Sequence, residues 1–270
     1  MQIETERLRL RPVTLADTGD IARIIFSDPA VVGMLAHNTK DPGDALAEAE
    51  RWTSIMGADG DGGIWDEGGM GLFVVQPKNG DGALAGVAGF YMERNEKALW
   101  SGEYFYALGS AWHGQGLMSE AAAALAEKLQ AMEDLGIIYA AYWDMINEAS
   151  GRLLLKTGLK PRGRKPVTEE YSSERCQLMF EYDLWRLGQV VNEDTRAEIL
   201  VQASRRAGAF VAEDVIQKED ALKQLSKRYG ASELTADASS MFARACAHPG
   251  MAYLEIRGSG VTGAPVNRLG

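Results

Sequence analysis

The order of predicted elements indicates an α/β protein with a mixed, mostly antiparallel sheet flanked by helices and a small, mainly helical C-terminal region. Through about residue 188, short apolar segments bounded by glycine or proline alternate with segments of helical periodicity, which is typical of strands interleaved with helices. From about Val190 the pattern changes to three successive helices. The sequence therefore predicts two domains, residues 1–188 and residues 189–270.

The N-terminal part follows a simple sequence of elements. A strand is expected at residues 7–11, then helices at 17–26 and from Asp44 onward, the latter with Leu46, Ala49, Trp52 and Ile55 on one face. Residues 57–71 are rich in glycine and acidic side chains and are predicted to be a mobile loop. Strands are then expected at 72–75, 84–92 and 99–108, with Asn79-Gly80 as a hairpin turn.

The segment 108–121 has the pattern of an anion-binding turn. An aromatic-rich strand precedes it, and residues 118–135 follow as an amphipathic helix, so Gly114 and Gly116 lie where a strand passes into a helix. Glycines allow the backbone to approach a ligand, and the first turn of a helix offers unpaired N–H groups to negative charge. A pyrophosphate is the expected ligand, although plain turn chemistry gives the same motif.

The next elements strengthen this interpretation. Residues 136–143 are predicted to form an apolar strand, and a short helix follows with Asn147 as its N-cap and Gly158 at its end. Closing strands are expected at 166–168 and 176–184. Beyond them, helices are expected at 194–207, 213–229 and 235–247, with a further strand at 252–257.

Composition excludes several classes of function. The net charge of −10 argues against nucleic-acid binding, and no apolar run approaches the ~20 residues that span a membrane. Two cysteines do not form a disulfide framework, so a reduced cytoplasmic setting is expected. Three dispersed histidines and two distant cysteines show no metal-ligand spacing, so no metal is expected.

Two signatures in this order resemble the GCN5-related N-acetyltransferases (GNAT), particularly the subgroup of ribosomal-protein N-terminal acetyltransferases. The first is the turn His113-Gly114-Gln115-Gly116-Leu117-Met118. The second consists of Asn147, Ser150, Arg152, Lys156, Gly158 and Leu159. The resemblance covers roughly residues 4–187 and does not extend to the rest of the chain.

The resemblance implies an acetyl-CoA-dependent N-acetyltransferase. Cosubstrate binding would fall to the turn, whose N–H groups hold the pyrophosphate, at His113, Gly114, Gln115, Gly116, Leu117, Met118 and Ser119. The backbone of Tyr106, Ala107 and Leu108 would contact the pantetheine arm, and so would the Asn147 side chain, which can also act only as a helix cap. Arg152 could meet the 3′-phosphate, or it belongs to a solvated basic face with Lys156.

Glu103 and Ser150 are the candidate catalytic residues. Glu103 lies in the strand beside the thioester, and its apolar neighbours would make the carboxylate a stronger general base; a solvent-facing or ion-paired carboxylate is the alternative. Many family members carry a tyrosine general acid where this chain has Leu154. Ser150 occupies the position that the resembled subgroup uses to contact the thiol, although ordinary helix-start chemistry would also place a serine there.

Several alternatives stay open at this point. The acidity of residues 57–71 would favour a cationic amine as acceptor, such as a protein N-terminus, polyamine, amino acid or aminoglycoside. A nicotinamide-binding fold could use the same turn with Asp144 as its ribose-binding acid, and a non-catalytic coenzyme A sensor could use the same site. The C-terminal region could cover the acceptor site, form the face of a homodimer, or act as a separate module.

Overall fold

A computed structural model describes residues 1–32, 34–35, 44–142, 147–229, 234–248 and 250–258. It confirms the predicted fold class: over these residues, eight strands form one mixed, mostly antiparallel sheet with helices packed around it. The strands are β1 (Ile3–Glu4), β2 (Leu8–Pro12), β3 (Leu72–Pro77), β4 (Gly86–Arg94), β5 (Trp100–Leu108), β6 (Leu135–Tyr142), β7 (Lys160–Lys165) and β8 (Met251–Arg257).

The helices fall into two groups along the chain. The first group is α1 (Thr18–Ile21), continued by a π-helical segment at Ala22–Phe26, then α2 (Pro29–Val32), α3 (Asp44–Met56), α4 (Leu117–Gln130) and α5 (Glu148–Lys156). The second group is α6 (Val167–Glu170), α7 (Ser173–Gln189), α8 (Glu193–Ala212), α9 (Lys218–Tyr229) and α10 (Ala236–Ala247). Short 3₁₀ turns precede α1 and α4.

The sheet order is β1-β2-β3-β4-β5-β6-β8-β7. Neighbouring strands are antiparallel except for β5 and β6, which run parallel because α4 carries the chain back across the sheet. The predicted C-terminal strand is confirmed as β8, and it pairs with β6 on one side and β7 on the other. The division of the chain after residue 188 stays a prediction, but β8 contributes to the same sheet as the N-terminal strands.

The closing strands predicted at 166–168 and 176–184 are wrong, because these residues form α6 and α7. Cys176, Met179 and Phe180 are buried, and their spacing of three and four residues matches one face of a helix. The side chain of Ser172 accepts a hydrogen bond from Arg175 N and caps α7. The sheet is closed instead by β7 and β8, which lie on either side of this helical region in sequence.

Two apolar cores support the fold. The larger one packs α3 and α4 against the sheet, and the second lies among α7, α8, α9 and α10. In α3, Ala49 and Trp52 are buried as predicted, but Leu46 is 49% exposed, so it lies outside the apolar face. The glycine-rich segment 57–71 also joins the larger core, since Ile64 and Met70 are buried and Trp65 Nε1 donates to Met56 O at 3.0 Å. Its predicted mobility stays a prediction.

Two kinds of feature are absent from the described residues. None of their helices combines the length and the apolar character needed to cross a membrane. Within the same residues, no group of three or more histidine, cysteine or acidic side chains is arranged to hold a metal ion.

Candidate active site

The parallel strands β5 and β6 separate at their C-terminal ends. Their pairing begins at Trp100 with Leu135, and the last pair is Glu103 with Tyr139. Both strands continue beyond that pair, β5 to Leu108 and β6 to Tyr142. The sheet therefore opens a gap between two central strands at the edge where the glycine turn follows β5.

The two faces of the sheet meet at this gap. Phe105 packs on Trp52 of α3, with ring centroids 5.4 Å apart, whereas the Tyr106 hydroxyl contacts Ser150 of α5. Because successive residues of a strand point to opposite faces, α3 and α5 lie on opposite sides of the sheet. Glu103 therefore shares the α3 face with Phe105, and Tyr104 shares the α5 face with Tyr106.

A cavity of about 260 Å³ occupies the gap. It reaches both faces, because residues of α3 and residues of α5 line it together. The described lining residues are Met34, Leu35, Glu48, Arg51, Trp52, Glu103, Tyr104, Phe105, Tyr106, Ala140, Ala141, Tyr142, Asn147, Ser150, Leu154, Tyr171, Arg175 and Met251. Aromatic rings and both signs of charge therefore surround a space between the strands.

The glycine turn after β5 has the geometry of an anion site. Gly114 and Gly116 have φ of 74° and 73°, a left-handed backbone conformation that residues other than glycine adopt at a cost in free energy. Gly116 is the N-cap of α4, and no side chain caps this helix among the described residues. The first-turn N–H groups of Leu117, Met118 and Ser119 are thus open to a ligand, and the helix dipole favours negative charge there.

Contacts from the first hairpin hold this turn in place. Arg7 Nη1 donates to Gln115 O at 2.9 Å, and Arg7 Nε pairs with Glu120 Oε2 at 2.6 Å. Burial alone would raise the pKa of Glu120, but hydrogen bonds from Thr5 and Arg7 outweigh it and lower the pKa. Glu120 is therefore a charged anchor of the turn.

The start of α5 is built from Asn147 and Ser150. Asn147 Oδ1 accepts from Ser150 N at 3.1 Å, which confirms Asn147 as the N-cap. The cap occupies the oxygen of that side chain and leaves its NH₂ group to donate elsewhere. On the neighbouring strand, the Tyr106 hydroxyl makes a short hydrogen bond with Ser150 Oγ. Burial raises the pKa of Tyr106, so the phenol stays protonated.

The predicted site residues are partly brought together. Glu103, Tyr106, Asn147 and Ser150 line the same cavity. The turn from His113 to Ser119 follows β5 in sequence, and none of its residues is among the described lining residues. The remaining three also lie outside the lining. Ala107 is buried in the larger core, Leu108 O is 2.9 Å from the His113 Nε2, and Arg152 is exposed and pairs with Glu148 at 3.4 Å.

Sequence reasoning missed the rest of the cavity wall. Glu48 and Arg51 form an ion pair on α3, and Trp52 Nε1 donates to Glu48 at 3.1 Å. On the opposite side, the Arg175 guanidinium lies 4.5 Å from the centre of the Tyr171 ring. The amphipathic pattern of α3 placed Trp52 inward but gave no sign of a site, and no local motif marks the segments that carry Tyr171, Arg175 and Met251.

The N-terminal part of the sequence matches a protein family. The family model of the acetyltransferase (GNAT) domain matches residues 7–160, which is more than half of the chain. The chain therefore belongs to the GNAT acetyltransferase family, and its enzymatic class is that of an N-acetyltransferase. This family excludes the nicotinamide-binding alternative, whose candidate acid Asp144 lies outside the described residues. No curated protein sequence matches the chain.

Solved structures with a similar fold include other acetyltransferases. The ribosomal-protein-S5-alanine acetyltransferase from Vibrio fischeri is 19% identical over 62% of this chain and 86% of that chain, with a TM-score of 0.48. An acetyl transferase from Salmonella typhimurium that modifies the N-terminal serine of ribosomal protein L7/L12 is 17% identical over 62% and 88%, with a TM-score of 0.47. The microcin C7 self immunity acetyltransferase MccE is 15% identical over 59% and 82%, with a TM-score of 0.44.

Proposed function

We propose that this chain transfers an acetyl group from acetyl-CoA directly to a primary amine. The observation that carries the proposal is the combination of an uncapped, glycine-lined helix start with a cavity between splayed strands. The first supplies donors for a diphosphate, and the second is lined by a carboxylate and a hydroxyl. A donor that is anionic at one end and reactive at the other fits this arrangement.

The turn and the strand end account for cosubstrate binding. The amides of Gly114, Gln115 and Gly116 and of the first α4 turn would hold the diphosphate. The pantetheine arm would follow the backbone of β5 from Leu108 toward Glu103, where β6 no longer pairs with it. The NH₂ group of Asn147 would donate to the arm from the α5 side. Arg152 is exposed enough to reach a 3′-phosphate outside the gap.

The two sides of the gap carry the groups for different steps of the reaction. Glu103 faces the α3 side, so an amine entering there would lose a proton to its carboxylate. The free amine then attacks the thioester carbonyl and a C–N bond forms. Negative charge develops on the carbonyl oxygen, and backbone N–H groups in the part of β5 that no longer pairs with β6 can stabilise it. The C–S bond breaks next, and Ser150 on the α5 side meets the departing sulfur.

The cavity walls favour an acceptor with an ammonium group. Glu48 and Glu103 supply negative charge, and Trp52 and Phe105 supply aromatic faces that attract cations. Arg51 and Arg175 add positive charge at the same cavity, so an acceptor that also carries an anionic group would fit. Among the described lining residues none belongs to the acidic segment 57–71, and Arg51 pairs with Glu48, so the preference for an ammonium group rests on Glu103 and the aromatic faces.

The test is release of free thiol from acetyl-CoA in the presence of a panel of amines. The panel contains a peptide with a free N-terminus, the same peptide blocked at its N-terminus, a polyamine, an aminoglycoside and free amino acids. We expect amine-dependent thiol release with at least one acceptor, and its loss in Glu103→Gln. Asp20→Asn on the exposed surface serves as the control. Tight binding of coenzyme A without thiol release on any amine would contradict the proposal and favour a sensor.

Two accompanying predictions belong to the same proposal. Cys176 and Cys246 are both free thiols, which supports a reducing compartment such as the cytoplasm. Met251 lies in the region 189–270 and lines the cavity, which supports a role for that region in covering the acceptor site. A homodimer stays a prediction.

A further inference from the structure

Tyr106 has a contact that cosubstrate binding by its backbone does not explain. Its hydroxyl reaches across the gap edge from β5 to α5 and contacts both oxygens of Ser150. The contact to Oγ is a short hydrogen bond, and Ser150 O lies 3.3 Å away. Both residues line the cavity, and Ser150 is only 8% exposed. A strand tyrosine and a helix serine therefore form one hydroxyl pair in the wall.

The direction of this hydrogen bond follows from the chemistry of the two groups. A phenol is a stronger acid than an aliphatic alcohol, and its oxygen is the weaker acceptor because the ring withdraws its lone pair. The backbone carbonyl of Ser150 can also accept, but its contact is the longer of the two, so we assign the single phenol hydrogen to Ser150 Oγ. With Tyr106 as the donor, the hydrogen of Ser150 Oγ is left to point elsewhere, and the space beside it is the cavity.

We propose that Tyr106 is a positioning residue, which fixes Ser150 so that the serine hydroxyl donates to the departing sulfur of the thioester. This inference rests on the proposed acetyl transfer. It assigns to the Tyr106 side chain a role in the chemical step, in addition to the role of its backbone in binding the cosubstrate.

The pair stabilises the thiolate and does not protonate it. A thiol has an ordinary pKa of about 8.5, against about 10 for a tyrosine phenol, and burial raises the pKa of Tyr106 further. Transfer of a proton from the phenol to the sulfur would therefore run uphill. As the C–S bond breaks, its electron pair stays on sulfur and accepts the Ser150 hydrogen bond. The two protons lost by the ammonium leave through Glu103 and water, and the thiolate takes one from solvent.

The experiment compares four variants with the wild type: Tyr106→Phe, Ser150→Ala, the double variant, and Tyr91→Phe as a control. Tyr91 is a partly exposed tyrosine whose hydroxyl donates to Glu93 at 2.5 Å, so its variant also removes one hydrogen-bonded phenol. For each protein we would measure kcat and KM for thiol release across pH, and the Kd of coenzyme A by calorimetry. Thermal melting checks that each variant folds.

We expect Ser150→Ala to lower kcat about 10- to 100-fold, as for loss of a hydrogen bond to a charged group. Tyr106→Phe should lower kcat about 3- to 10-fold. The Kd of coenzyme A should be unchanged, and so should the way in which kcat changes at high pH. The double variant should be no slower than Ser150→Ala, because Tyr106 acts only through that serine. Tyr91→Phe should match the wild type.

Three results would overturn the inference while leaving acetyl transfer intact. The first is a wild-type kcat in Tyr106→Phe. The second is a fall in kcat on changing Tyr106 in the Ser150→Ala protein that equals the fall on changing it in the wild type. The third is that the change of kcat at high pH disappears in Tyr106→Phe. The last would make Tyr106 itself the proton donor. If the wild-type protein binds coenzyme A but releases no thiol with any amine, the proposed function fails and this inference fails with it.

Discussion

Gly114→Ala separates backbone strain from ligand binding in the glycine turn. Gly114 has a φ of 74°, and a Cβ added there would meet nothing within 4 Å. The substitution therefore creates no clash, and its cost is that of an L-residue in a left-handed conformation. That cost is about 1–2 kcal/mol. For a protein of this size, it corresponds to a fall in Tm of about 2–8 °C.

The chain contains a matched control for this cost. Gly68 has a φ of 84°, and an added Cβ would likewise meet nothing within 4 Å. It belongs to the segment 57–71, none of whose residues lines the cavity in the part of the chain that the structure describes. Gly68→Ala should therefore lose a similar amount of stability, and neither variant should change the other interactions of the fold.

Only Gly114→Ala should weaken binding of the cosubstrate. A turn that relaxes away from positive φ moves its amides relative to the diphosphate, and a charge-assisted hydrogen bond contributes about 1.5–3 kcal/mol. We therefore expect the Kd of coenzyme A to rise about 10- to 100-fold, measured by calorimetry at constant salt. Equal Kd values for the Gly114→Ala and Gly68→Ala proteins, at equal loss of stability, would refute the assignment of this turn to the diphosphate.

Three further predictions follow from the electrostatics of single residues. The lowered pKa of Glu120 stabilises the fold above the ordinary carboxyl pKa of 4.5 and ceases to do so as the pH falls through the folded-state value. Glu120→Gln should therefore lower the free energy of unfolding in urea by about 1 kcal/mol at neutral pH and by nothing in acid. Burial raises the pKa of Cys176 to about 11, so in Cys246→Ser protein Ellman's reagent should react with this thiol only after denaturation. Asp183 is buried beside two arginines, so Asp183→Ala should lower the free energy of unfolding by about 3–5 kcal/mol. The control Asp20→Ala, at an exposed ion pair, should lower it by less than about 1 kcal/mol.

Each of these has a contrary outcome. A stability difference for Glu120→Gln that persists into acid would show that the amide disturbs packing and not charge. Rapid reaction of Cys176 at neutral pH in the folded protein would place that thiol at a solvent-exposed position. Equal losses for the two aspartate variants would mean that the buried guanidinium groups are neutralised by something other than Asp183.

Local sequence predicted the elements around the glycine turn. Aromatic content indicated β5 and helical periodicity indicated α4, and the structure confirms both. Helix α4 begins at Leu117 and ends at Gln130, five residues before the predicted end. Gly114 and Gly116 were placed correctly for the same reason, since a strand that passes into a helix needs a tight turn. Local sequence specifies the turn here, and the long-range contacts from Arg7 to Gln115 and Glu120 hold it in place.

The same reasoning failed where an apolar stretch suits two structures. Residues 176–184 alternate well enough to resemble a strand, yet they form the middle of α7. Their burial against α8 and α9 decides between the two, and those partners follow only later in the chain. In the same way, the sequence predicts β8 as a strand but contains no signal for its position between β6 and β7.

In the candidate site, too, the sequence predicted residues close to local motifs and missed residues contributed by distant segments. Glu103, Asn147 and Ser150 lie close to recognisable motifs, so sequence reasoning found them. Tyr171 and Arg175 reach the cavity only because α6 and α7 fold back over the gap, and no short pattern encodes that path. The Tyr106 hydroxyl contact depends on which face of β5 meets α5, which requires the packed helix as well as the strand.

The position of β8 has a consequence for how the chain reaches its native state. Among the strands of the described residues, the one that completes the sheet is the last to leave the ribosome, about ninety residues after β7. Until then β6 presents an unpaired edge, and β7 has no neighbour, so the nascent catalytic region is open to pairing with other chains. Loop closure over such a separation is slow. A protein shortened before Met251 should therefore aggregate during synthesis. Helices α8 to α10 form part of the connection that allows β8 to pair between β6 and β7.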